Sequence, residues 1–201
     1  ARKKTRLRVN LVGLGDVGGT VLTGLKLLGD GCIETIGIFD PYEPLMARYE
    51  MELGQVLPLY DNEALPEVSV CREPDLFRCD VLIFTASRGV PAVGSDVRDV
   101  RMAQFDKNRD MLRAYAHRAR EENFCGLFCQ VSDPVDPLAR ALFLDSNCGK
   151  DGKYDFAGLL PEQVRGFGLG VMQARAAYAA KRLGADFTRG RAFGPHGEGL
   201  V

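Results

Sequence analysis

The feature that most constrains this chain is a glycine-rich turn near its start. Gly13-Leu14-Gly15-Asp16-Val17-Gly18 is a G-x-G-x-x-G. It joins an apolar stretch, residues 7–13, to residues 18–28, where Val21, Leu22, Leu25 and Leu28 share one side of a helix. The next apolar stretch, 33–39, runs into Asp40, 22 positions after Gly18. The string alone is common, but strand, turn, helix and an acid at the next strand tip together form a dinucleotide-binding fingerprint. Gly13 permits the tight turn, Gly15 lets the backbone approach a pyrophosphate, and Gly18 lets helix and strand pack closely. The amides of Asp16 and Val17 open the helix and offer N–H groups and partial positive charge to an anion. Asp40 can accept hydrogen bonds from both hydroxyls of an adenosine ribose. It would repel a 2′-phosphate, and Pro41 follows where an arginine would be needed, so the residues favour NAD over NADP.

The rest of the chain continues the alternation. Helical patterns at 44–53, 97–122 and 138–144 separate strand-like runs at 68–71, 80–85 and 126–131. The run Asp80-Val81-Leu82-Ile83-Phe84-Thr85 is almost wholly apolar, as a strand is when helices cover both sheet faces. Such alternation builds a parallel sheet from βαβ units, an α/β fold. After about residue 146 the pattern changes. Residues 147–154 read as a polar linker, 163–167 as a short strand, 171–183 as a helix and 191–193 as a returning strand. Two units follow, a nucleotide-binding domain over 1–146 and a partial second domain over 147–201. The chain ends on Gly199-Leu200-Val201 without a closing helix, as expected of a shortened or truncated protein.

Composition excludes several function classes. Lys+Arg is 26 against Asp+Glu 27, a net charge of −1, so the basic surplus of a dedicated nucleic-acid binder is lacking. The basic cluster Arg2, Lys3, Lys4, Arg6 and Arg8 reads as a solvated leader before the first strand. No apolar run approaches the ~20 residues of a membrane span, and no secretory apolar segment follows the basic start. A soluble, cytoplasmic protein with no membrane or nucleic-acid partner is expected. The cysteines at 32, 71, 79, 125, 129 and 148 have the spacing of neither a disulfide framework nor a metal site, and the two histidines, His117 and His196, lie away from them. They read as buried free thiols, with no metal. His117, among Arg113, Arg118 and Arg120, reads as part of a solvated helix face.

Three further segments carry polar groups where a parallel sheet would present its carboxyl edge: Ser132-Asp133-Pro134-Val135-Asp136, Gly166-Phe167-Gly168 with Arg175, and Gly194-Pro195-His196-Gly197-Glu198. With the glycine turn, and in this order, they resemble the lactate/malate dehydrogenase family. That family has S-N-P-V-D, G-S-G…L-D-x-x-R and G-E-H-G-D at these places. Ala47-Arg48-Tyr49-Glu50-Met51-Glu52-Leu53 is similar to its A-x-G-E-A-x-D-L helix, and Arg101 followed by Asn108 to the helix after its mobile loop. The resemblance implies a Rossmann-type doubly wound parallel sheet followed by the first part of the family's catalytic domain. Family chains are longer, so much of that domain has no counterpart here. It implies hydride transfer between NAD(H) and a small 2-hydroxy or 2-oxo acid, in a homo-oligomer. His196 would be the general acid/base, Arg175 would fork the substrate carboxylate, and Arg101, or Arg98, would close over the carbonyl. Thr85, Ala86, Ser87, Val131 and Asp133 would join Gly13, Gly15, Asp16, Val17, Gly18 and Asp40 around the cofactor.

Two departures bear on activity. The family aspartate that pairs with the catalytic histidine falls on Met172, which cannot fix a tautomer. The family's substrate-side asparagine falls on Asp133, whose charge would repel an anionic substrate unless it replaces the missing acid beside His196. Arg88, in a loop that differs from the family's, is a candidate for dicarboxylate selection. The alternative to an active dehydrogenase is a binding module that holds NAD without turnover. An NAD-dependent glycosidase on the same fold is a remoter reading and would need a metal.

Overall fold

The computed structural model describes residues 6–60, 64–89, 100–197 and 199–201, and for Val100 and Arg101 the backbone alone. Its strands are β1 (Leu7–Val12), β2 (Ile33–Phe39), β3 (Glu67–Val70), β4 (Val81–Phe84), β5 (Leu127–Gln130) and β6 (Val164–Gly166). Its helices are α1 (Asp16–Leu28), α2 (Glu43–Gly54), α3 (Val100–Glu121), α4 (Val135–Ser146) and α5 (Leu169–Arg182). All strand pairs are parallel, in the order β3-β2-β1-β4-β5-β6. This is the doubly wound order, with its switch between β1 and β4.

Side-chain alternation decides what covers each face. Val9, Leu11, Ile36, Ile38 and Val68 are buried on one face with Leu22 of α1 and Met46 and Leu53 of α2. On the other, Leu82, Phe84 and Phe128 pack with Leu112 and Ala116 of α3 and Leu138 and Leu142 of α4. The β1–β3 half of that second face is polar, carrying Arg8, Asn10, Thr35, Gly37 and Ser69. The reason is the connection from β3 to β4, which contains a single 3₁₀ turn (Glu73–Asp75) and no helix to lay over it.

The segment after 146, expected as a linker at a domain boundary, is packed into the sheet. Asn147 is 1% exposed, and its amide donates to the carbonyls of Phe143 and Leu159, both at 2.9 Å. Its Oδ1 accepts the Gly158 amide at 2.9 Å. Leu159 enters the core, and β6 pairs with β5 as the last strand. The polar composition that reads as a linker is spent on satisfying buried backbone groups.

Two expectations are corrected. Residues 191–193 form no strand of the sheet; Phe193 exchanges two hydrogen bonds with Val201, at 2.7 and 2.9 Å, within a loop bounded by Gly190 and Gly194. All six cysteines are free, but only Cys129 is buried, while Cys32 and Cys125 are exposed. Those two sit in turns just ahead of β2 and β5, not on the strands' inner faces. Burial pushes the Cys129 thiol up to about 11 and that of Cys79 up to about 12. Helix starts also move: α4 begins at Val135, since Pro134 caps it and Pro137 falls in the first turn, where a missing N–H costs nothing. Among the described residues no helix is long and apolar enough to cross a membrane.

Arg120 of α3 clamps the 147–158 segment through Asp155, with two parallel hydrogen bonds of 2.6 and 2.5 Å. The guanidinium first, then the Ala157 amide, hold the Asp155 carboxyl at about 2, against 3.8 for an ordinary aspartate. The clamp's contribution is therefore complete above 3.8 and is lost as the pH falls through about 2. Arg120→Gln is expected to return Asp155 to the ordinary carboxylate range, read by an NMR titration of its carboxyl carbon.

Candidate active site

The carboxyl ends of β1 and β4 diverge at the switch point, and the glycine turn fills the gap. Gly13 has φ +91°, a left-handed conformation that suits glycine, and a Cβ there would lie 2.5 Å from the Ala86 backbone. A Cβ on Gly18 would overlap the Gly13 carbonyl oxygen. Gly15 differs: nothing lies within 4 Å of its Cβ position. Two of the glycines are thus demanded by packing, while the third borders open space. Gly15 caps α1 without a side chain, and the first turn closes with Gly19 N–H on Gly15 O at 2.8 Å. The amides of Asp16, Val17 and Gly18 precede the helical ladder.

Asp40 closes the turn from the β2 side. Its Oδ2 accepts the Leu14 amide at 2.8 Å and its Oδ1 the Tyr42 amide at 2.9 Å. A carboxylate has about four acceptor sites, so lone pairs remain for a diol. Thr85 spans the switch point, its hydroxyl donating to Gly13 O at 2.6 Å. Behind it, buried Asn108 of α3 accepts the Arg88 amide at 2.9 Å and donates to Asp133 O at 2.8 Å and to Ser87 Oγ at 3.3 Å. Ser132 Oγ donates to Ala86 O at 2.6 Å. The loops after β4 and β5 are thereby tied together.

A cleft of about 690 Å³ opens beside them, lined by Val17, Val131, Asp133, Met172, Arg175 and His196 among others. The His196 ring rests on Gly168: a Cβ there would stand 2.5 Å from His196 Cγ. Nε2 faces Asp133 Oδ1 at 3.2 Å, whereas Nδ1 is buried without a partner among the described residues. The His196 backbone amide donates to Asp136 Oδ2 at 2.6 Å, across 60 residues of sequence. Gln173 of α5 anchors the same loop, donating to Gly190 O at 2.8 Å and accepting the Ala192 amide at 2.7 Å. Arg175, one helical half-turn on, is exposed, and its guanidinium has no hydrogen bond or ion pair with a described residue.

Of the residues singled out from sequence, the structure gathers His196, Asp133, Arg175, Val131 and Val17 around one cleft. Gly13, Gly15, Asp16, Gly18, Asp40, Thr85, Ala86 and Ser87 form the adjoining turn and loop. Arg88 is exposed on that loop, and His117 is exposed on α3. Arg98, Glu198 and the side chain of Arg101 lie outside the described residues. Sequence reasoning missed the anchoring roles of Asp136 and Gln173. Asp136 stands in the quoted Ser132–Asp136 motif, but nothing local signals that its partner is a backbone amide far along the chain.

The sheet order and the capped glycine turn define a doubly wound α/β protein of the Rossmann type. No family model matches the chain. The malate dehydrogenase of Sulfurimonas denitrificans is 25% identical over 197 residues, covering 96% of this chain and 56% of that protein. The L-lactate dehydrogenase of Lactobacillus helveticus is 27% identical over 151 residues, covering 75% and 44%. Among solved structures, the minor L-lactate dehydrogenase from Enterococcus mundtii in its ligands-bound form superposes with a TM-score of 0.76 at 20% identity, over 98% of this chain and 58% of that one. The lactate dehydrogenase from Eimeria maxima with NADH and oxamate gives 0.69 at 19% identity, over 100% and 56%. The chain is thus similar to curated malate and lactate dehydrogenases, and it spans about half the length of those relatives.

Because His196 packs closely against a residue with no side chain, Gly168→Ala is expected to push the imidazole aside and break its contact with Asp133. A crystal structure of the variant, or loss of the Nε2 hydrogen-bond signature in ¹⁵N spectra, reads this directly; an unmoved ring refutes it.

Proposed function

We propose that this chain supplies the dinucleotide-binding unit, and the proton-transfer and carboxylate-binding side chains, of an NAD-dependent 2-hydroxy-acid dehydrogenase. The observation that carries the reading is the cradle at Gly15, where open space meets the uncommitted amides of α1 and adjoins the cleft of His196 and Arg175. The residues fit the cofactor: the α1 amides would hold the pyrophosphate, Asp40 the ribose diol, and Val17 and Val131 the wall leading to the cleft. The bound nicotinamide would supply hydride exchange with the substrate carbon.

This chain's own groups do the rest. Arg175, uncommitted in the cleft, presents a planar fork to a carboxylate. His196 Nε2 is the ring nitrogen that faces Asp133 in the cleft, and as imidazolium it would donate a proton to a ketone oxygen. Asp133 is the only carboxylate among the cleft's described lining residues, and at 3.2 Å it balances that imidazolium. It does so at Nε2, not at the orphaned Nδ1, so substrate must share or take over that contact. Asp136 keeps the histidine's backbone in place. An enzyme acting on a small 2-oxo acid, assembled as a homo-oligomer, completes this reading.

The test is NADH binding by the fluorescence of the reduced cofactor, followed by NADH oxidation with a panel of 2-oxo acids. Gly15→Ala is expected to keep the fold and its melting temperature while weakening NADH about tenfold or more, since its new methyl enters only the open space. Gly18→Ala is expected to lower the melting temperature as well. Equal effects of the two on stability would sink the cradle. His196→Gln and Asp133→Asn are each expected to lower turnover by ~10²-fold or more with NADH binding unchanged. Full activity in Asp133→Asn removes Asp133 from the mechanism. Met172 and the unpartnered Nδ1 favour the second reading, a binding module; NADH binding with no oxidation of it across the panel selects that one.

A further inference from the structure

The bare half of the sheet's second face carries a feature that the dehydrogenase reading does not use. Where no helix covers β1–β3, a cleft of about 400 Å³ is lined by Arg8, Thr35, Ser69, Arg72, Asp75 and Arg78. Its floor is lowered at Gly37, where a Cβ would overlap the Asn10 amide oxygen. Asn10 is itself fixed, its Nδ2 donating to Leu76 O at 2.7 Å.

The charge balance within this lining is lopsided. Three guanidinium groups arrive from separate places: Arg8 from β1, Arg72 from the end of β3, and Arg78 from beyond the 3₁₀ turn. Against them the lining holds one carboxylate, Asp75, which Arg72 and Arg78 share at 2.6 and 2.9 Å. The Arg8 guanidinium makes no hydrogen bond or ion pair with a described residue. The hydroxyls of Thr35 and Ser69 are half-buried on neighbouring strands, and neither makes a hydrogen bond with a described residue. Half-buried donors without protein acceptors, next to an uncommitted guanidinium, want an acceptor-only anion. A tetrahedral phosphate matches this set: arginine forks pair with two of its oxygens and hydroxyls with the others.

We propose that this cleft is a second anion site, which takes the phosphate group of a small molecule on the sheet face away from α1 and α2. It is separate from the glycine turn, which lies at the carboxyl ends of the strands. The sequence cluster that ends in Arg8 acquires a role here through Arg8 itself, which joins two arginines from 64 and 70 positions further along.

The experiment is calorimetric titration of the 201-residue protein at low ionic strength with inorganic phosphate and, in parallel, glycerol 2-phosphate. Saturating NADH is present to occupy the glycine turn, and the titrations are repeated without it. Expected is millimolar or tighter binding that Arg8→Ala with Arg78→Ala weakens about tenfold or more, and Thr35→Val with Ser69→Ala several-fold, without change in circular dichroism. A tighter ester identifies a phosphorylated metabolite as occupant, and a tighter inorganic ion identifies free phosphate. No binding, or binding indifferent to all four substitutions, overturns the site. If NADH fails to bind, the dehydrogenase reading falls, while the arginine dependence of the phosphate titration still decides this one.

Discussion

The structure depends on how closely two backbones approach at the switch point. β1 and β4 are neighbours in the sheet, but the chain leaves their carboxyl ends in different directions. Gly13 lies against the backbone of Ala86, and Gly18 lies against the carbonyl of Gly13. No side chain can stand at either place. With that contact made, the Thr85 hydroxyl reaches Gly13 O and locks the two loops together. The start of α1 is then aimed over the sheet edge, and the crevice beside it exists because nothing else fits there. A helix terminus that opens onto free space is a consequence of this packing.

The edge is held by polar groups that are almost wholly committed. Asn108, fully buried, spends its amide on three partners from the loops after β4 and β5. Gln130 donates to Ser132 O at 2.9 Å and Ser132 to Ala86 O at 2.6 Å, both from buried positions. Breaking any one would strand its partner without water, so this network resists piecemeal loss. It also explains why Asp133 stands where it does. Its carbonyl is pinned by Asn108, which leaves the carboxylate to face His196.

How much of this was legible follows from the range of each interaction. The sheet could be read because strand burial is local: β4 is apolar throughout, β5 is apolar up to Gln130, and β1 alternates. The glycine turn could be read because strand, turn, helix and Asp40 lie within one βαβ unit. The strand at 164–166 was legible, but the packing of residues 147–159 against the core was hidden, since Asn147 has the composition of a loop residue and acts through hydrogen bonds to backbone on both sides. The contact of His196 with Asp133 was anticipated only as one of two outcomes, because it joins segments far apart in the chain. The anchors Asp136 and Gln173 were silent, since a carboxylate or amide that binds backbone leaves no pattern in the residues it binds. The polar alternation of β1, by contrast, was present in Arg8, Val9, Asn10 and Leu11, and it marks the half of the sheet that no helix covers.

The character of the cleft follows from which charges are already spent. Asp136 is used on the His196 amide, Asp40 on two amides of its own neighbourhood, and Asp133 on the imidazole. Arg175 alone is unspent among these groups. When His196 is protonated, it and Asp133 together are neutral and the cleft's net charge is that of Arg175, so a carboxylate is drawn in. When His196 is neutral, Asp133 cancels Arg175 and the attraction disappears. The acid at Asp133 therefore does more than repel an anion. It makes the cleft's attraction for an anion conditional on a proton sitting at His196.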